Sequence, residues 1–237
     1  MKQAFILAAG LGTRLKPLTD TMPKALVPVC DKPLLQHQIE RLRAVGFTRL
    51  VVNVHHFADQ IVQFLDANQN FGLDIRVSDE RTQLLETGGA IRHARPLFDT
   101  SLPVLVHNVD ILHNLDLADF YCQQQGEATL LVSPRTTSRY LAFDTDGQLC
   151  GWTNTKTGEI KGLTTDRLLA FSGIHLLRPS LLPTMDEWPE RFSVIDFYLS
   201  VCHTHSIRAH EAHNLRMVDV GKLDTLQQAE DFLKPQT

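Results

Sequence analysis

The stretch ILAAGLGTRLKPLTDTMPKAL, residues 6–26, constrains this chain more than any other. An apolar run stops at glycines 10 and 12, and two cations, Arg14 and Lys24, follow within 15 residues. The preceding QAFILAA has the unbroken apolar character of a strand buried on both faces, the pattern of a parallel sheet. In such a sheet ligands sit beyond the carboxyl ends of the strands, and the loop leaving the first strand is the usual cradle. Gly10 and Gly12 allow backbone N–H groups to approach an anion that a Cβ would hold off. Arg14 offers a planar fork of donors and Lys24 a point charge, a pair suited to a polyphosphate. Two named phosphate motifs are nonetheless missing. There is no GxxxxGK[ST], and Leu15 stands where the dinucleotide fingerprint needs its third glycine.

The rest of the chain continues the alternation that a parallel sheet requires. The spacing predicts a helix over Pro33–Val45, with Leu35, Ile39 and Leu42 on one face and Gly46 ending it. RLVVNV follows as a second strand. Further along come a helix around Asp59–Ala67, the strand LDIRVS, a helix after Gly89 and the strand PVLVHNV. The rhythm then changes. EATLLVSP, YLAFDTDGQLCGW with a turn at Asp146-Gly147, and LLAFSGIHLL read as less regular β structure, followed by a helix over VIDFYLSVCHTH and a last helix from Leu223. The expected fold class is α/β: a doubly wound, mostly parallel Rossmann-like sheet, with a β-rich substrate-binding portion in the second half.

Composition narrows the partners. Over 237 residues the formal net charge is -4, which supplies no basic field for nucleic acid. No apolar stretch approaches the roughly 20 residues of a membrane span, and residues 1–9 lack a signal-peptide pattern, so a cytoplasmic protein with small-molecule partners is expected. Cys30, Cys122, Cys150 and Cys202 form no CxxC pair, which fits reduced, mostly buried thiols. The histidines His55-His56 and CHTH at 202–205 lack structural-zinc spacing and are read as surface or helix-face residues.

Taken together, Gly10, Gly12, Thr13, Arg14, Pro17, Leu18, Thr19, Pro23, Lys24, Leu26 and Pro28 reproduce G-x-G-T-R-x-x-P-L-T…P-K-x-L-x-P. This ordered pattern resembles the signature of the sugar-phosphate nucleotidyltransferases. ETGGAI at 86–91, NVD at 108–110, FSGIHLL at 171–177 and VDVG at 218–221 resemble the family's later landmarks in order. The likeness is strongest to the short bacterial N-acetylmuramate-1-phosphate uridylyltransferase and mannose-1-phosphate guanylyltransferase-like group.

The resemblance implies a nucleotide-diphospho-sugar transferase fold as one domain over 1–237, with a nucleotide-binding half at 1–115 and a sugar-phosphate-binding half at 116–237. It leaves no room for the C-terminal β-helix of longer relatives. It implies Mg²⁺-dependent joining of a nucleoside triphosphate, UTP or GTP, to a sugar 1-phosphate with release of pyrophosphate, by a monomer or homodimer. Arg14, Lys24 and Asp110 are then the catalytic residues. Ala8, Ala9, Gly10, Gly12, Thr13, Gly88 and Gly89 bind the nucleotide, the last two as a loop against base and ribose, with a helix-start turn the competing reading of TGG. Glu86 orients the sugar or that loop, and Asp110 and Asp219 hold the metal. Because the second phosphate pKa is about 6, the attacking phosphate is already charged at neutral pH and no general base is required. This agrees with the lack of any nucleophilic Ser, Cys or His constellation.

Departures from the pattern are local. The E-K-P segment of longer relatives is absent. The corresponding region reads GWTNTKTGEIKGL, and Lys156 or Lys161 are candidates for its lysine, a role left unassigned. Val109 replaces the commoner glycine of N-G-D, and Lys222 stands where threonine is common. Two alternatives remain beside the sugar reading. One is cytidylyl transfer to phosphocholine or a similar phosphorylated alcohol, which aromatic residues grouped around a cation site would favour; Trp152, Phe171 and Trp188 are scattered along the chain and also suit core packing. The other is a nucleotide-sensing relative that has lost turnover.

Overall fold

The run Gln3–Leu7 forms the first strand, β1, and its burial on both faces accounts for its apolar sequence. Ala4 and Ile6 point into one core layer and Phe5 into the other, all three fully buried. A computed structural model describes residues 1–234. In chain order there follow β2 (Pro28–Val29), β3 (Lys32–Pro33), α1 (Leu34–Ala44), β4 (Arg49–Val54), α2 (Ala58–Ala67), β5 (Asp74–Asp79), α3 (Glu86–Ala94) and β6 (Val104–Asn108). Next come β7 (Ile111–His113), α4 (Leu117–Cys122), β8 (Ala128–Ser133), β9 (Arg139–Phe143), β10 (Leu149–Asn154), β11 (Glu159–Gly162) and β12 (Leu168–Leu177). The chain continues through α5 (Val194–Val201), β13 (Ile207–Glu211), β14 (Met217–Asp219) and α6 (Asp224–Leu233).

The main sheet runs β11-β10-β9-β12-β6-β1-β4-β5, with β8 paired to β12 and β13. Strands β5, β4, β1 and β6 are mutually parallel, so their carboxyl ends lie along one edge. β12 then pairs antiparallel with β6 and starts the β-rich half. Helices cover both faces, as a doubly wound sheet requires. Leu35, Ile39 and Leu42 of α1 and Ile61 and Leu65 of α2 share the core of Ala4 and Ile6, whereas Ile91 of α3 and Phe197 of α5 share that of Phe5. No described helix is long and apolar enough to cross a membrane.

Several boundaries follow the expected chemistry. α1 ends at Ala44; Gly46 adopts φ +85°, its N–H bonds Arg43 O and the Phe47 N–H bonds Leu42 O, the closure of a glycine-terminated helix. Three expectations need correction. α3 begins at Glu86, not after Gly89, so both glycines of ETGGAI lie inside its first turn rather than in a loop. α5 stops at Val201, and CHTH follows it as a turn in which the Thr204 and His205 N–H groups both bond the Val201 carbonyl. Only two of the four thiols are buried: Cys150 and Cys202 are, while Cys30 sits in the β2–β3 turn and Cys122 ends α4, both exposed. α4 and β13 carry no strong local signal; β13 is held by parallel pairing to β8.

Candidate active site

At the carboxyl edge of the parallel strands lies a cavity of about 360 Å³. Ala8, Ala9, Gly10, Lys24, Glu86 and Asp110 line it, together with Leu7, Asn53, Leu84, Thr87, Asn108, Val109 and Ser193. Six of the sequence-derived site residues therefore share one concavity. It is walled by the loop after β1, the end of β6 and the start of α3.

The loop after β1 owes its shape to two local demands. Gly12 adopts φ +63°, and a Cβ there would stand 2.8 Å from Thr19 Cγ2 and 3.0 Å from Lys24 Cβ. The Thr19 hydroxyl locks the turn by donating to Gly12 O at 2.8 Å. Gly10, by contrast, faces open space. The N–H groups of Ala8 and Ala9 donate to Asn53 Oδ1 at 2.6 and 3.2 Å, so they are not free to form the anion cradle that glycine spacing suggests. Thr13 lies outside the main cavity and lines a neighbouring hollow with Lys16, Thr19 and His56.

A charged cluster is assembled from distant segments; Lys24 and Asp110 line the cavity, whereas Arg14 and Asp219 stand beside them outside its lining. Asp110 sits in the turn between β6 and β7, and Asp219 ends β14. β14 pairs antiparallel with β7, placing Asp219 opposite Ile111, and the Val220 N–H bonds the Asp110 carbonyl at 2.9 Å. Lys24, almost buried, donates from Nζ to Asp110 Oδ2. The Arg14 guanidinium lies beside Asp219: a Cβ on Gly221 would be 2.7 Å from Asp219 Oδ1 and 2.8 Å from Arg14 Nη2. Burial and the neighbouring Asp110 carboxylate raise the Asp219 pKa, against the opposing pull of Lys24, Arg14 and Arg135.

That electrostatic tension bears on metal binding. Two carboxylates repel each other here despite three nearby cations, and a divalent ion would relieve the repulsion. Among the described residues no group of three or more His, Cys, Asp or Glu side chains could hold a metal ion by itself. An ion at the aspartate pair would therefore complete its shell from phosphate oxygens and water. That arrangement suits Mg²⁺, which keeps waters and takes one or two carboxylates.

Gly88 and Gly89 are placed differently from the expected nucleotide loop. Both N–H groups donate to Phe192 O, at 2.9 and 3.2 Å, and a Cβ on Gly88 would sit 2.3 Å from the Phe192 ring. On Gly89 it would sit 2.4 Å from Glu190 O. Their glycine character serves close packing of the 190–192 segment on α3. Glu86 lines the cavity with φ +60° and pairs with Arg191 at 2.8 Å, tying the same segment to the rim.

The departures also find places. Val109 is buried beneath the site, donates to Leu7 O at 3.1 Å, and its φ lies outside the left-handed region, so a Cβ is accommodated. The Lys222 N–H bonds Thr225 Oγ1 at 3.3 Å ahead of α6. Lys161 is engaged by Asp196 at 2.8 Å and lies 5.3 Å from the centre of the Trp152 ring; Lys156 is on the exposed β10–β11 turn. Trp188 packs on Phe192 and Phe197, Phe171 on His175, and Trp152 under Lys161; all three border the core that holds Phe5.

Residues that the sequence reading did not single out complete the picture. Asn53 and Thr87 line the cavity, the latter with Oγ1 accepting the Val194 N–H at 2.9 Å. Arg135 follows β8, donates to Phe171 O at 2.8 Å, and adds positive charge at Asp219. The isolated polar residue inside RLVVNV was a legible sign for Asn53; Arg135 stands in a polar loop without one.

Comparison with known proteins points in one direction. The family model described as nucleotidyl transferase matches residues 3–140, more than half of the chain. The N-acetylmuramate alpha-1-phosphate uridylyltransferase of Caulobacter vibrioides is 51% identical over 111 residues, 46% of each chain. A probable mannose-1-phosphate guanylyltransferase of Oryza sativa subsp. japonica is 33% identical over 193 residues, 79% of this chain and 53% of its own. The matched stretches thus span about half the length of these curated relatives. In fold, the chain superimposes on HddC from Yersinia pseudotuberculosis, solved in complex with GMP-PN, with a TM-score of 0.77 at 24% identity, over 99% of this chain and 100% of that one.

Proposed function

Since the chain belongs to the nucleotidyl transferase family, we propose that it transfers a nucleotidyl group from a nucleoside triphosphate to a sugar 1-phosphate, releasing pyrophosphate. The observation that carries this reading is the Asp110–Asp219 pair, set with Lys24 and Arg14 at the edge of a cavity on the carboxyl side of a parallel sheet. Such a cluster suits charge on phosphates, and phosphoryl chemistry of this kind needs positioning and charge neutralisation above all.

In this reading the sugar-phosphate oxygen attacks the α-phosphorus in line, and the bond to the bridging oxygen of the β-phosphate breaks. The nucleophile needs no base, since its second pKa is about 6. Asp110 and Asp219 would hold Mg²⁺, which when bound would offset charge on the phosphate oxygens. Lys24 exchanges its Asp110 partner for phosphate oxygen near the reacting centre. Arg14 takes the β and γ phosphates and stabilises the departing pyrophosphate. Ala8, Ala9 and Gly10 form the wall against the nucleoside, and Glu86 meets the sugar side of the cavity.

The donor and acceptor are assigned from the relative in Caulobacter: UTP and N-acetylmuramate 1-phosphate. Steady-state pyrophosphate release with UTP, GTP, dTTP, CTP and ATP, each against N-acetylmuramate, N-acetylglucosamine, glucose and mannose 1-phosphates, tests the assignment. The highest kcat/KM is expected for UTP with N-acetylmuramate 1-phosphate. A higher value for any other combination replaces the substrates, and the absence of turnover with every combination rejects the activity.

A further inference from the structure

Two walls of the cavity come from separate parts of the chain, and a buried polar bridge joins them. One wall is the loop at Ala8–Gly10; the other is the start of α3, with Leu84, Glu86 and Thr87. Between them stand Asn53, near the end of β4, and Glu80, just past β5, only 2% and 1% exposed. Asn53 Oδ1 accepts the N–H groups of Ala8 and Ala9 at 2.6 and 3.2 Å, and its Nδ2 donates to Glu80 Oε1 at 2.8 Å. Glu80 Oε2 in turn accepts the Leu85 N–H at 3.2 Å. An amide and a carboxylate thus span the base of the cavity from loop to helix.

A buried carboxylate is a poor choice if stability alone is at stake. Removing it from water is costly, and apolar residues of similar volume commonly pack as well or better. What apolar residues cannot do is accept two N–H groups from one wall and one from the other, which fixes both backbones at a set separation. A fully satisfied polar bridge specifies one arrangement where an apolar contact would tolerate several.

Resting on the donor reading above, we propose that Asn53 and Glu80 are positioning residues that set the width of the nucleoside cavity, and thereby which nucleobase it accepts. Neither residue needs to touch the triphosphate. The bridge acts through Ala8, Ala9 and the first turn of α3, whose separation decides whether a given base can pair with the wall groups on both sides. Discrimination by a few hydrogen bonds depends on such fixed spacing, because a displaced wall leaves donors or acceptors unmet for every base alike.

The bridge can be broken and rebuilt by exchange of its groups. Glu80→Gln places an amide where Asn53 Nδ2 and the Leu85 N–H both require an acceptor. Asn53→Asp sets two carboxylates against each other. The double variant Asn53→Asp/Glu80→Gln restores every contact with the polarity of the central bond reversed: the carboxylate accepts Ala8 and Ala9, and the new amide donates to it while accepting Leu85. The measurement is equilibrium titration with UTP, GTP, CTP and ATP, alongside melting temperature. Each single variant should lose about tenfold or more of the preference between the best and second-best triphosphate, as one unmet buried group implies. The double variant should regain the wild-type preference.

Single variants that keep the preference, whatever their melting temperature, overturn the proposal, as does a folded double variant no better than the worse single one. If a single variant does not fold, the folded double variant decides: wild-type preference supports the bridge and lost preference rejects it. A wild-type protein that binds no triphosphate rejects the donor reading itself, a result distinct from tight binding that is indifferent to the bridge.

Discussion

Lys24 donates an ion-paired hydrogen bond to Asp110, across 86 residues of sequence, on the floor of the cavity. Each side chain neutralises the other where both face the space proposed for phosphate. Asp110→Asn keeps the shape and removes the charge, so the variant should fold with a melting temperature near wild type and lose nearly all turnover. Circular dichroism and pyrophosphate release on one preparation check this. A folded Asp110→Asn protein with normal turnover would show that the carboxylate is not part of the reacting centre.

Arg14 depends on a neighbour without a side chain. Gly221 leaves the room that the guanidinium occupies beside Asp219, and a Cβ would stand 2.8 Å from Arg14 Nη2. Gly221→Ala should therefore mimic Arg14→Ala in part. Losing one charge-assisted contact to a developing oxyanion costs on the order of 100-fold in kcat, the effect expected for Arg14→Ala together with weaker triphosphate affinity. Calorimetric titration with a triphosphate, showing unchanged affinity in Arg14→Ala, would move the β and γ phosphates elsewhere.

The two loop glycines should separate by stability. Gly12 combines φ +63° with a 2.8 Å approach to Thr19, whereas Gly10 meets nothing within 4 Å. Gly12→Ala should destabilise by about 1–3 kcal/mol, the range for overpacking and a strained left-handed residue. Gly10→Ala should leave denaturant midpoints unchanged to within about 0.5 kcal/mol, as for surface substitutions. Equal losses at both positions would contradict the description of the turn.

Acid stability should reflect buried neutral histidines. Burial depresses His107 to about 4 and His175 to about 3, and it also lowers His113. The unfolded chain binds these protons from about pH 6.5 downward while the folded chain refuses them, so stability is present at neutral pH and lost as pH falls through that window. His175 is the clearest probe, since neither ring nitrogen has a hydrogen-bond partner among the described residues. His175→Phe should gain about 2 kcal/mol relative to wild type on going from pH 8 to pH 5, one and a half pKa units of linkage. Chemical denaturation at the two pH values gives the difference; a pH-independent effect would show that His175 is charged, or hydrated, in the fold.

The β1 loop was legible because its demands are local. A buried strand, a left-handed glycine and two nearby cations all fall between Gln3 and Lys24. Asp110 and Asp219 could be paired only through the family pattern, since antiparallel pairing of β7 with β14 is what joins them. The packing role of Gly88 and Gly89 was hidden for the opposite reason: what meets them is Phe192 and Glu190, more than 100 residues away, which sequence alone does not display. Asn53 shows as the one polar residue inside RLVVNV, but its role and that of Glu80 stayed hidden, because both lie in a hydrogen-bond chain spanning three segments. Fold class, by contrast, was carried by the repeated alternation of apolar strands and amphipathic helices through β6.

The central claim is that two aspartates, a lysine and an arginine form a metal-dependent nucleotidyl-transfer centre. Pyrophosphate release from UTP and N-acetylmuramate 1-phosphate, followed in excess EDTA and again after Mg²⁺ is restored beyond the chelator, tests it most directly. No turnover in EDTA, recovery with Mg²⁺, and no recovery in either Asp110→Asn or Asp219→Asn are expected. Undiminished turnover in EDTA, or Mg²⁺-restored turnover in both aspartate variants, would contradict it.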